Sequence, residues 1–155
     1  MERGISMTVT RRVFMGMALA ATASAVTPGE REDSAVLFTT DDDPDLSLAT
    51  LELRKLFLGF AVEHDGHLLR PVRNRSDPRL DAIFLQHVVA MSADVYERRL
   101  LALSLQQGRP RPVVVDSHEQ LLRELDAWPH VVSFAWLSDI DDIRGIHVIR
   151  TLWRG

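Results

Sequence analysis

Six residues, Asn74-Arg75-Ser76-Asp77-Pro78-Arg79, gather polar chemistry at one junction of this sequence. They stand between an extended run, LLRPV, and an apolar, helix-like run, LDAIFLQHVVA, and so read as a turn from strand to helix. A helix start offers free backbone N–H groups and about half a positive charge. A serine hydroxyl, those N–H groups and a guanidinium would together grip an oxyanion. Ser76, Asp77, Arg79 and the flanking Arg75 are therefore the candidate ligand-binding residues. The same residues also make an ordinary helix start, with Ser76 or Asp77 as the cap and Pro78 at the first helical position, where its missing N–H costs nothing. Pro78 takes one donor away from an anion site, and Asp77 puts a negative charge where a phosphate would want none. The alternative is a capped helix with Arg79 in a surface ion pair.

Other polar clusters carry less. Asp41, Asp43 and Asp45 alternate as in a calcium loop. Such a loop needs glycine at its sixth position and a free glutamate at its twelfth, whereas Leu46 and a helical Glu52 stand there. The expectation is a solvated turn with no metal. None of the six histidines has metal-ligand spacing on an expected helix, although His64 and His67 flank a turn and can meet in space. Nucleophile-elbow, phosphate-loop and dinucleotide motifs do not occur, so no enzyme and no cofactor is expected. Trp128, Trp136 and Trp153 are expected in packing, Trp136 buried on a central strand.

The chain has 155 residues, one domain by the usual size relation. It has no cysteine, which excludes disulfides and thiolate metal sites. The N-terminal run TVTRRVFMGMALAATASAV pairs two arginines with an apolar stretch that ends in Ala23-Ser24-Ala25. That is a secretory signal, cleaved after residue 25, and too short to span a membrane. With Phe14, the arginines also fit a twin-arginine signal, so both export routes stay open. A periplasmic product is expected, with 26–34 as a linker and 35–155 as the domain. Cleavage removes Arg3, Arg11, Arg12 and Glu2, which moves the formal net charge from −4 to −6. An acidic domain argues against nucleic acid as a partner.

Hydrophobic periodicity predicts strands over 35–40, 68–73, 113–115, 131–137 and 146–153. Pro71 argues for an edge strand or a strand end. Helices are expected over about 49–58, 78–90, 93–107 and 118–127. Leu80, Ile83, Phe84, His87 and Val88 would form the apolar face of the second. Gly59 and Gly108 suit the residues just past two helices, and Ser117-His118-Glu119-Gln120 reads as a capping box. Strands that alternate with helices of this length point to an α/β layered domain.

Three segments, in order, resemble the substrate-binding proteins of phosphate-type ABC transporters, and most closely their short, single-domain exported relatives, the type 2 periplasmic-binding-protein-like family. Leu56-Phe57-Leu58-Gly59, Asp65-Gly66 and Pro71-Val72 follow the family's helix end, turn and strand, ahead of the loop that opens the next helix. GRPRPVVVDSHEQLLREL and WPHVVSFAWL resemble the next two family segments. The resemblance spans roughly 35–152. It implies one three-layer α/β/α lobe with a mixed, mostly parallel sheet. It also implies an exported, non-catalytic solute-binding-like protein that takes phosphate or another oxyanion weakly, with a membrane transporter or envelope protein as partner and a homodimer as one arrangement. The family loop Ser-Gly-Thr-Arg is here Ser76-Asp77-Pro78-Arg79: the Ser and Arg match, the Gly and Thr do not. That departure leaves open a ligand-free interaction or structural module derived from a solute-binding protein.

Overall fold

Apolar runs rich in β-branched residues become strands and the 3.6-periodic runs become helices, in near-strict alternation. The structure is a computed structural model and describes residues 33–43 and 45–155. The expected signal peptide and all of the expected linker but Asp33 and Ser34 lie outside the described residues. The elements are β1 (Ser34–Thr39), α1 (Thr50–Phe57), a small hairpin of β2 (Glu63–His64) and β3 (His67–Leu68), β4 (Arg70–Asn74), α2 (Pro78–Phe84), α3 (Ala93–Gln107), β5 (Val113–Val115), α4 (His118–Ala127), β6 (Val131–Trp136), the single turn α5 (Leu137–Ile140) and β7 (His147–Arg154).

Five strands form one sheet in the order β5-β4-β6-β1-β7. β4 runs parallel to β5 and β6, while β1 is antiparallel to both β6 and β7. Four strands therefore point one way and β1 alone points back, a mixed α/β sheet. Side chains alternate across a strand, and in β1 and β6 both faces are buried. Ala35, Leu37, Val132 and Phe134 pack with α1, α2 and α3, while Val36, Phe38, Val131 and Ala135 pack with Leu121 of α4 and Ile140 of α5.

The first of these cores is held by aromatic geometry. Phe84 stacks on Phe134 at 4.5 Å, and Phe57 and Tyr96 meet Phe84 edge-on at 4.9 and 5.8 Å. Such pairs add about 0.5–1.5 kcal/mol each beyond the area they bury. The Tyr96 hydroxyl donates to the Phe57 carbonyl at 2.6 Å, satisfying an orphan acceptor at the end of α1. Burial pushes the Tyr96 phenol far above its ordinary range.

Several expectations need correction. β4 is not an edge strand, since it lies between β5 and β6. Pro71 fits because it sits near the strand's start. The Arg75 N–H donates to Val115 of β5, so with alternate N–H groups facing alternate neighbours the missing N–H of Pro71 faces β5, whose pairing begins only at Val72. The second helix is shorter than expected, because a π turn over Leu85–Val89 follows Phe84. The wider turn advances the buried set to Val88 and Val89 and leaves His87 exposed. Trp136 is only half-buried, because it ends its strand rather than sitting within it.

Candidate functional site

β4 delivers the Asn74–Arg79 loop to the edge of the sheet where the parallel strands end. The β4–β6 ladder pairs Arg70 with Val131 and Pro71 with Val132, and beyond it side chains bridge the two strands. Ser133 Oγ donates to the Val72 carbonyl at 2.8 Å, and the buried Asn74 donates from Nδ2 to the Phe134 carbonyl at 3.0 Å. Asn74 Oδ1 in turn accepts the Ser76 N–H at 3.0 Å. One buried amide thus fixes both the strand end and the loop that leaves it.

Asp77 is the cap. Its Oδ1 accepts the N–H groups of Arg79 at 2.7 Å and Leu80 at 3.3 Å, and its Oδ2 accepts the Trp136 indole N–H at 3.1 Å. The Asp81 N–H goes to the Asp77 carbonyl and the Arg75 N–H to Val115, while Pro78 has none. The N–H groups of Arg75, Ser76, Arg79, Leu80 and Asp81, which would otherwise be free for an oxyanion, are therefore engaged inside the protein. The indole bond, followed by the two backbone bonds, holds the Asp77 carboxyl below its ordinary range against the opposing effect of burial.

The structure brings together Asp77 and Arg79 and separates them from Arg75. The Arg79 guanidinium lies 4.2 Å from the Trp153 ring centre and 5.5 Å from that of Trp136, and the two indoles meet edge-on at 6.0 Å. Arg75 turns to Asp116 at 3.6 Å, an exposed pair worth little. Ser76 is exposed. The arrangement is an indole-lined surface corner with an acid at its base and a cation on its face. Sequence reading had placed Trp136 and Trp153 in packing; no local spacing ties either to Asp77 or Arg79.

The same strand, β4, carries a buried arginine whose ion network the sequence did not reveal; the other members, Asp81, Glu97 and Arg111, reach solvent. Arg73, only 3% exposed, donates to both carboxylate oxygens of Asp81 at 2.9 and 3.0 Å and to Glu97 at 2.6 Å. Glu97 also holds Arg111 at 2.6 Å. The Arg73 guanidinium faces the rings of Tyr96 and Phe84 as well. One side chain thereby joins β4 to α2 and α3. Burial alone would lower its pKa, but pairing with Asp81 and Glu97 together outweighs that and raises it.

The Asp41–Asp45 segment is not merely a solvated turn. Asp41 is buried, pairing with His130 Nδ1 at 2.6 Å, and Asp43 pairs with His64 Nε2 at 2.8 Å. His67 stacks on His130 at 4.3 Å. Asp43, His64 and Asp65 hold three potential ligand atoms within 4.8 Å of one another and are the described residues that could take a metal. The hydrogen bond between Asp43 and His64 itself accounts for their approach, tying the loop to the β2–β3 hairpin.

A cavity of about 620 Å³ lies at the opposite edge of the sheet, where β4, β5 and β6 begin. Its walls include Phe60, Leu68, Pro110 and Trp128, with Arg70 and Arg109, and none of the four loop candidates. Compared with known proteins, the chain matches no protein-family model, and no curated protein matches it.

Proposed function

We propose that the chain is an exported, non-catalytic binding module: one lobe of the type 2 periplasmic-binding-protein kind, acting through a membrane or envelope partner rather than by carrying a free oxyanion. The ordered likeness of three segments supports the family assignment, and the mixed sheet with helices on both faces is compatible with it. One observation carries the functional choice. The Asp77 carboxylate takes the Arg79 and Leu80 N–H groups, the place an anion would occupy. A phosphate would have to displace that acid or sit beside it, at a cost in charge repulsion. Arg79, over its two indoles, is then a surface contact.

The test is a thermal melt of the full-length chain with and without millimolar phosphate or sulfate. No shift is expected. A rise that Arg79→Ala abolishes would assign the loop to oxyanion binding instead. Export is checked separately, by the mass of the chain recovered from the periplasm of a bacterial host. Loss of residues 1–25 is expected, and an uncleaved cytoplasmic chain would contradict it.

A further inference from the structure

We propose that the cavity at the start of the parallel strands binds a small organic acid with an apolar body, an aryl or medium-chain carboxylate. This inference goes beyond the proposed function and rests on neither the family reading nor the Ser76–Arg79 loop. The volume, about 620 Å³, lies within the range of small-molecule pockets, about 300–1,000 Å³. The walls are mainly apolar. Trp128 and Leu68, 48% and 59% exposed, are two of the large hydrophobic side chains left open to solvent, and both line this cavity. Apolar surface concentrated in a concavity is a mark of a binding site.

The charge on the walls selects the ligand's head group. Arg70, Arg109 and Arg111 line the cavity and no carboxylate does. Arg111 is committed to Glu97 at 2.6 Å. Arg70 pairs with Glu124 at 3.4 Å, a long contact that engages one of its two terminal nitrogens. Arg109 donates its Nε–H to Gln107 and lies 3.8 Å above the Phe60 ring, as Arg70 lies 4.2 Å above Trp128. Two guanidinium groups are thus set against aromatic walls with donor capacity to spare. A carboxylate matches a guanidinium edge in two parallel hydrogen bonds. The apolar walls call for a hydrocarbon body behind that head group, which free phosphate lacks.

The wall is built into the fold. Gly59 closes α1 at φ +82°, and a Cβ there would stand 2.2 Å from the Pro110 carbonyl oxygen. Glycine lets the 108–112 connector lie directly on the end of α1, which sets one wall of the cavity.

Calorimetric titration of the full-length chain with phenylacetate and octanoate, beside uncharged phenylacetamide, tests the site. Saturable one-to-one binding of at least one acid is expected, with phenylacetamide about tenfold weaker or worse. Arg109→Gln should weaken the acid by a similar factor. Leu68→Glu alters an exposed hairpin position and leaves the fold intact by circular dichroism. It should weaken the acid more than the amide. Failure of both acids to bind at millimolar concentration would overturn the inference. So would binding that neither substitution changes.

Discussion

Asp77 does two jobs with one carboxylate: it caps α2 and anchors Trp136. Asp77→Ala should cost about 1 kcal/mol of stability, as lost caps do, and should shift tryptophan emission as Trp136 loses its partner. An unchanged melting point and spectrum would mean that the cap is idle. The residue types at this loop were legible in sequence, and the cap was narrowed to Ser76 or Asp77, of which Asp77 serves. The partner was not legible, because Trp136 lies 59 positions away and only the sheet brings it near. Asp41 and His130, 89 positions apart, were hidden for the same reason. The neighbouring pair, His64 and Asp43, makes a signed prediction. The Asp43 hydrogen bond raises His64 above its ordinary 6.5, and the same bond is the main cause that lowers Asp43 below 3.8. The raised histidine's contribution is full below pH 6.5 and is lost as pH climbs through its folded value. The lowered carboxylate's contribution is present above pH 3.8 and is lost as pH falls through its folded value. The melting-point gap between the native chain and His64→Gln should therefore be widest between about pH 4 and 6.5 and narrow above it. A gap constant from about pH 5 to 8 would contradict the linkage.

At the scale of elements, the caps wrote themselves into the sequence. Ser92 and Gly108 bound α3, and Ser117 opens α4 by accepting the Gln120 N–H at 3.2 Å. Gln120 returns its amide oxygen to the N–H of Asp116, one residue before the cap. These are local bonds between residues a few positions apart, which spacing can reveal. The π turn after α2 was not legible, since a one-residue shift in register leaves an apolar run looking equally helical. Arg73 was missed because an arginine in a strand reads as a solvent-facing residue until two other elements close over it. Removing it leaves the partly exposed Asp81 without its cation, while Glu97 keeps Arg111, so Arg73→Ala should lower stability by about 1–3 kcal/mol, less than a fully buried pair would lose. Arg73→Met combined with Asp81→Asn and Glu97→Gln should recover part of that loss. Denaturant unfolding measures both. If the triple variant is no better than Arg73→Ala, the cost lies in packing rather than in stranded charge.

At the scale of the molecule, alternating patterns revealed an α/β layered domain but not which strand sits where. The position of β4 inside the sheet depends on long-range pairing that no local pattern encodes; Pro71 left an edge strand and a strand end both open, and it lies near the strand's start. The two ends of the sheet differ in kind. At one, the loop after β4 spends the Ser76 N–H on Asn74 and the Arg79 and Leu80 N–H groups on Asp77. At the other, an apolar cavity carries guanidinium groups on its walls. The proposed binding module is compatible with that asymmetry. The most direct measurement is the melting temperature of the full-length chain titrated with phosphate and sulfate. No rise at millimolar oxyanion is the predicted result. A saturable rise that disappears in Arg79→Ala would contradict the account.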